Sequence, residues 1–354
     1  MRTHLKFLLG CLAATATFAS SPSFADPANL KVLGNFTGNK KQVDLVERPF
    51  FTELAEKAGI SSKVNYSPMD LVNVNASDAL RLLRSGAFDI ASVQIGMAAR
   101  DNPFLEGIDI AGVATNLEDQ RTVMEAIREE FDKETQKNFN AKVLTLWPFG
   151  PQILFCNKPI SSTKDFDGKK VRTFTASMAD LAEGLGASPV TLAFSEVYLA
   201  LQRGVADCGI TAASAGNSGK WPEVTNYLLP LAFSNSMQGH FINLDVWNEF
   251  SEEQQKTLEA EFEQMEKDMW DLAANVAEDA ILCNTGSDDC EDHTQYTMEY
   301  QELSEEETET FKEIVLTKVL PDWAENCNSI IPDCSERWLA TVGEAMGFDS
   351  IDGK

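Results

Sequence analysis

Short apolar runs and helical periods take turns along most of this chain. Leu30 to Leu33 reads as a strand, Val43 to Ala58 as a helix, Lys63 to Tyr66 as a strand, Ala76 to Leu83 as a helix and Phe88 to Val93 as a strand. A helix over Leu117 to Phe131 and a strand over Ala141 to Trp147 continue the series. Pro148-Phe149-Gly150-Pro151 then interrupts it and is the best candidate for a domain crossing. A second series follows, with strands over 152–157, 170–174, 190–192 and 208–211 and helices over 177–185 and 195–203. Alternation of this kind buries both sorts of apolar face by laying helices on largely parallel sheets, so the expected fold class is α/β. The 354 residues are enough for two domains.

Beyond Trp247 the pattern becomes helical. Leu258, Phe262, Met265, Met269, Leu272 and Val276 recur at spacings of four and three, one apolar stripe on a long helix, and Ser251 with Gln254 makes a capping box at its start. The other side of that helix is acidic. Residues 251–354 hold 28 Asp and Glu against 6 Lys and Arg, within a formal net charge of -26 for the whole chain. Nucleic-acid binding draws on clustered Lys and Arg, so this distribution excludes nucleic acid as a partner. The acid excess reads as a solvated helical face.

Arg2 and Lys6 precede an apolar segment, and Ser23-Phe24-Ala25 offers the small residues of a signal-peptidase site, so residues 1–25 read as an export signal cleaved after Ala25. Cys11 lies in a weak lipoprotein-like box with too short an apolar core ahead of it. No other stretch approaches the roughly 20 apolar residues of a membrane span, so the mature chain is expected to be periplasmic without stable membrane insertion. Six cysteines remain, an even number suited to disulfides in an oxidising compartment. Cys283 with Cys290 and Cys327 with Cys334 each enclose six residues containing turn formers. Pairing each locally leaves Cys156 with Cys208, two strand positions that can bond if their strands are neighbours.

Catalytic and metal motifs are scarce. Neither Gly-x-Ser-x-Gly nor His-Glu-x-x-His occurs, no Cys-x-x-Cys suggests zinc, and the mature chain has only His240 and His293. No metal or cofactor is expected. Gly216-Asn217-Ser218-Gly219-Lys220 lacks the spacing of a phosphate loop and reads as a turn and helix start. Asn35-Phe36-Thr37 and Asn75-Ala76-Ser77 match a glycosylation pattern short enough to arise by chance. The informative residue is Arg172, in the apolar strand Lys170 to Phe174. Its five donors need acceptors at low dielectric. Either an external carboxylate takes its planar fork or an internal Asp or Glu does.

The run Gly186-Ala187-Ser188-Pro189-Val190-Thr191-Leu192-Ala193-Phe194-Ser195-Glu196-Val197-Tyr198-Leu199-Ala200-Leu201-Gln202-Arg203-Gly204-Val205-Ala206-Asp207 closely resembles the core segment of DctP-type solute-binding proteins of tripartite ATP-independent periplasmic (TRAP) transporters. Asp165 to Arg172 and Leu80 to Ile90 are similar to two further segments of that family. The resemblance implies a two-domain periplasmic binding protein with an interdomain ligand cleft and a long helix spanning both domains. It implies a small organic acid as ligand, TRAP membrane subunits as partners, and no catalysis.

Carried over by position, Arg172 matches the carboxylate clamp and Phe194 the aromatic packed on the ligand. Gln152 falls where the family often has an arginine, Thr211 where many members have asparagine, and Gln94 on the first-domain wall. Gln152 in place of a second arginine argues against a ligand with many carboxylates. Asp207-Cys208-Gly209 departs from the family's common Asp-Gly, in keeping with a Cys156 to Cys208 bridge. Trp147 and Trp221 are candidates for the cleft lining too, but isolated aromatics are more often structural, so neither is counted among the site residues. The expected domains are 26–149 with 238–277, and 150–237 with 278–354. Two rivals remain: a periplasmic hydrolase or isomerase using a carboxylate pair, and a binding protein of an ATP-driven importer.

Overall fold

The computed structural model describes residues 26–351, so the expected export signal and its cleavage site lie outside the described residues. In chain order the strands are β1 (Asn29–Gly34), β2 (Lys63–Pro68), β3 (Ile90–Gln94), β4 (Ala141–Pro148), β5 (Gln152–Cys156), β6 (Lys170–Thr173), β7 (Ser188–Thr191), β8 (Cys208–Ala212), β9 (Tyr227–Leu229), β10 (Met237–Asn243) and β11 (Glu299–Tyr300). They form two sheets, ordered β2-β1-β3-β10-β4 and β11-β9-β5-β8-β6-β7, with helices interleaved as the alternation requires.

β1, β2 and β3 are mutually parallel, as are β6, β7 and β8. The expectation of largely parallel sheets fails at β10 and β5, each antiparallel to both of its neighbours. The reason is topological. β4 leaves the first sheet at Pro148 and β5 enters the second at Gln152, while β9 leaves the second and β10 re-enters the first. A strand that enters a sheet at the end where its parallel neighbours stop has to run against them.

The two crossing segments are laced together. Phe149 N donates to Ser236 O (3.0 Å), Gly150 N to Asn235 O (3.1 Å), Gln152 N to Ser234 O (2.8 Å) and Phe233 N back to Gln152 O (2.8 Å). Gly150 has φ +133°, a backbone region in which a side chain is strained, so glycine is required in this crossing. Asp109 anchors the second crossing, accepting from Asn235 N and Met237 N, both at 3.0 Å.

Burial pushes the Asp109 carboxyl up to about 7 despite those amide hydrogen bonds, with Glu106 adding to the rise. A carboxyl raised in the folded state stabilises most below its unfolded pKa near 4, and that contribution is lost as pH rises through the folded value. Asp109→Asn has nothing to ionise there. The melting temperature of the wild type should therefore fall relative to that variant between about pH 4 and 7. A difference that stays constant across this window would show that Asp109 does not titrate in it.

The long helix, Glu252–Thr285, has the expected capping box: Gln254 N donates to Ser251 Oγ (3.3 Å) and Ser251 N to Gln254 Oε1 (3.0 Å). Its apolar stripe is buried except Leu272, which is half-buried beside Trp270 and Ala273. At 1.5 Å per residue it is about 50 Å long, enough to reach both sheets. Trp270 Nε1 donates to Leu146 O on β4 (2.9 Å), and Asn284 Nδ2 to Ala213 O, just past β8 (3.1 Å). The main apolar core runs through both sheets, and a smaller cluster of Ile153, Phe155, Val197, Leu201, Trp221 and Ala280 lies under the second.

The last helices lean back toward the first sheet. Trp323 Nε1 donates to Pro103 O (3.1 Å), Trp338 Nε1 to Gly107 O (2.7 Å), and Arg337 reaches Glu130 and Glu134 on the helix Leu117–Phe139. The cysteines pair as Cys156–Cys208, Cys283–Cys290 and Cys327–Cys334, the scheme their spacing suggested. Residues 213–218 form a short helix that ends at Gly219, and Lys220 caps the 3-10 turn Trp221–Glu223, so Gly216 to Lys220 is a helix end followed by the expected turn and helix start. A Cβ at Gly216 would lie 2.4 Å from the Phe155 ring, so that helix sits closer to β5 than any larger residue allows.

Candidate ligand-binding site

The crossing gathers the carboxyl ends of β1, β3 and β4 on one sheet and of β6 and β8 on the other, the kind of place where open α/β sheets receive ligands. On the second sheet Arg172 stands one residue from the end of β6, in register with Gly209 of β8. It is only 2% exposed. Nε donates to Leu192 O (3.1 Å) and Nη1 to Ile210 O (2.9 Å), and both acceptors are backbone carbonyls. No carboxylate pairs with it among the described residues, so the internal ion pair that competed with the ligand reading is absent. Burial alone lowers its pKa to about 10, which leaves it charged at neutral pH.

Aromatic rings close around that cation. The guanidinium carbon lies 5.1 Å from the Phe174 ring centre and 5.9 Å from that of Trp221. Trp221 in turn stacks on Phe194, with centroids 5.4 Å apart and planes 25° apart. Phe194 is 41% exposed at the start of the helix Phe194–Gln202, so it is not ordinary core. Two glycines make this possible: a Cβ at Gly209 would meet Trp221 at 2.8 Å, and one at Gly219 would meet Phe194 at 2.9 Å. Trp221, set aside from sequence as structural, thus joins Arg172 to Phe194. The readable signal for it was a glycine inside strand β8, which marks the close approach of another group.

Alternation of side chains sorts the remaining candidates. Thr211 follows Gly209 by two residues and shares the Arg172 face, and among the described residues no side-chain hydrogen bond occupies it. Gln152 pairs with Ala212 and so points to the opposite face, where its Nε2 donates to Gly150 O (2.7 Å). The strand pairing does not bring Gln152 together with Arg172 and Thr211. Gln94 ends β3 on the first sheet, opposite Gln238 of β10, and its Nε2 lies 3.4 Å from Ser236 Oγ.

One contact ties the segments flanking this region. Glu106 accepts from Ser177 N (2.9 Å) at the start of the helix Ala176–Gly184, which follows β6 directly after Arg172, and burial raises its pKa. Asp279, Cys283 and His293 cluster elsewhere, but Cys283 is spent in its disulfide, and Asp279 already accepts from Glu291 N and faces His293.

Two α/β sheets joined by laced crossings and one long helix, with a buried, aromatic-flanked arginine that no carboxylate pairs among the described residues, define the architecture of a two-lobed solute receptor. The chain belongs to the bacterial extracellular solute-binding protein family 7, the DctP family of TRAP solute-binding proteins, whose model matches residues 47–325. A solute-binding protein of Roseobacter denitrificans is 25% identical over 254 residues, 71% of this chain and 77% of that protein. The ectoine-binding periplasmic protein TeaA of Halomonas elongata is 27% identical over 246 residues, 66% of this chain and 63% of that one. The crystal structure of DctP7, a Bordetella pertussis extracytoplasmic solute receptor binding pyroglutamic acid, superposes with a TM-score of 0.74 at 16% identity, covering 90% of this chain and all of that one.

Proposed function

We propose that this protein captures a small organic acid in the cleft between lobes built on its two sheets and delivers it, unchanged, to TRAP membrane subunits. The lobes would comprise 26–149 with 238–277, and 150–237 with 278–354, in the periplasm after removal of residues 1–25. One observation carries this reading: Arg172 is buried, charged and without a carboxylate partner among the described residues. Such a group is costly to keep unless an anion completes it on closure. A carboxylate would take the donors that Leu192 O and Ile210 O leave free, while the two carbonyls hold the guanidinium plane in place. Phe194, with Trp221 stacked behind it, would cover the apolar part of the ligand, and Thr211 and Gln94 would complete its polar contacts, while Gln152, on the opposite face of β5, would not reach it. Family membership favours binding over the carboxylate-pair enzyme and a TRAP partner over an ATP-driven importer.

The test is a melting screen across mono- and dicarboxylates, keto acids and acyl amino acids, with each acid recovered and identified afterwards. At least one acid is expected to raise the melting temperature and to be recovered intact. Consumption of the acid would favour the enzyme, and an unchanged melting temperature across the whole panel would remove the acid-receptor reading.

A further inference from the structure

A row of polar side chains crosses the end of the first sheet, the one that does not carry Arg172: Gln94 on β3, Gln238 on β10 and Trp147 on β4, in register. Gln238 is 3% exposed and Trp147 fully buried. The orientation of the Gln238 amide follows from a bond that permits one reading only. Phe36 N donates to Asn35 Oδ1 at 2.9 Å, and a backbone N–H can only donate, so the oxygen end of the Asn35 amide is fixed. Asn39 Nδ2 donates to the same oxygen (2.6 Å).

Asn35 Nδ2 therefore faces Gln238, at 2.7 Å, and Gln238 has to present Oε1 to it. That leaves Gln238 Nε2 as a donor directed elsewhere, with no protein acceptor among the described residues. Asn35 is itself held from behind. Glu47 accepts from Asn35 N (2.9 Å) and from Tyr66 Oη (2.7 Å), and its other oxygen lies 2.8 Å from His240 Nε2. Beside Gln238, the buried Trp147 Nε1–H also lacks an acceptor. Two neighbouring donors are thus held without a protein acceptor among the described residues, and for the buried one, Trp147 Nε1, this costs about 1 to 3 kcal/mol.

We propose that Gln238 and Trp147 form an uncharged half-site that receives an acceptor oxygen of the ligand, so that the ligand is a small acid with one carboxylate and a second, neutral carbonyl or hydroxyl oxygen. This rests on the reading of Arg172 as the carboxylate clamp. The row offers donors and no cation, so a second ionised carboxylate would be desolvated there without a counter-charge, whereas a neutral oxygen satisfies both donors at no such cost. The amide chain from Asn39 through Asn35 to Gln238 sets the donor in advance, and Glu47 acts through it as a positioning residue.

The experiment titrates the purified protein with matched acids that differ in one oxygen: 3-oxocyclopentanecarboxylate against cyclopentanecarboxylate, 2-oxobutyrate against butyrate, and 3-hydroxybutyrate against butyrate. In at least one pair the oxygen-bearing acid is expected to bind about tenfold more tightly or better. Gln238→Met and Trp147→Phe should each shrink that ratio toward one, chiefly by weakening the oxygen-bearing acid. Trp147→Phe, which deletes an unpaired donor while keeping a ring, should leave the melting temperature of the unliganded protein unchanged or higher. Arg172→Lys should weaken both members of every pair alike. If no pair shows a preference, or the preference survives both substitutions, the half-site is refuted while the clamp stands. If Arg172→Lys leaves acid affinity intact, the clamp reading fails, and if no acid binds, both fall.

Discussion

Arg172→Lys is expected to weaken binding of a carboxylate ligand by roughly ten- to hundredfold, the equivalent of about 1.5 to 3 kcal/mol for a charged hydrogen bond. Lysine keeps the charge and loses the plane. The guanidinium donates from Nε to Leu192 O and from Nη1 to Ile210 O, which fixes its plane and holds Nη2 at a set angle. An ammonium on a flexible stem cannot serve both carbonyls and an anion in that geometry, and it loses the flanking contacts with Phe174 and Trp221. Arg172→Ala should be worse still. The unliganded fold responds differently. Because no internal carboxylate is left stranded by the change, Arg172→Met, which keeps most of the volume, should cost little stability. Calorimetric titration alongside melting separates the two roles: a large drop in melting temperature with near-normal affinity in the folded fraction would mean that Arg172 is structural.

The second large effect concerns the Cys156–Cys208 bridge. These residues are directly opposite on β5 and β8, 52 residues apart in sequence, and the bond closes everything between them, Arg172 and Phe194 included. Loop-closure entropy assigns about 4 kcal/mol to a loop of that size and about 2.4 kcal/mol to each seven-residue closure, Cys283–Cys290 and Cys327–Cys334. The paired substitution Cys156→Ala with Cys208→Ala should therefore lower unfolding free energy more than either other pair. Denaturant titration under non-reducing conditions ranks the three. If a short loop costs as much as the long one, the chain-entropy account is wrong here, and local packing of the bridge decides its value.

What could be read from sequence was whatever is written in local periodicity. The long helix announced itself through one apolar stripe and a capping box, the disulfides through two equal spacings, and the passage between sheets through Pro148 to Pro151. Arg172 stood out because a cation in an apolar strand has to be explained.

β10 stayed illegible for a physical reason. Met237 to Asn243 is buried on both sides, and one side carries Gln238 and His240 bonded to Asn35, Glu47 and Thr145, so neither an apolar run nor an alternation marks it as a strand. Asn35 looked like a chance glycosylation match and is in fact buried, with its amide in use. The orientation of Gln152 away from Arg172 depends on strand register, and no single-sequence pattern carries that.

The position of β10 also sets an order of assembly. It lies between β3 and β4, which are made long before it, so until residue 243 exists those two strands have no common neighbour and the first sheet has a gap at its middle. Strands β5 to β9 are complete by residue 229 and can pair among themselves first. The buried Glu47–His240 contact, joining residues 193 apart, cannot form before that gap is filled. The body of the second sheet, β5 to β9, can thus pair before the gap in the first is filled, its edge strand β11 joining last, and the event that fills the gap also brings Gln238 to Asn35.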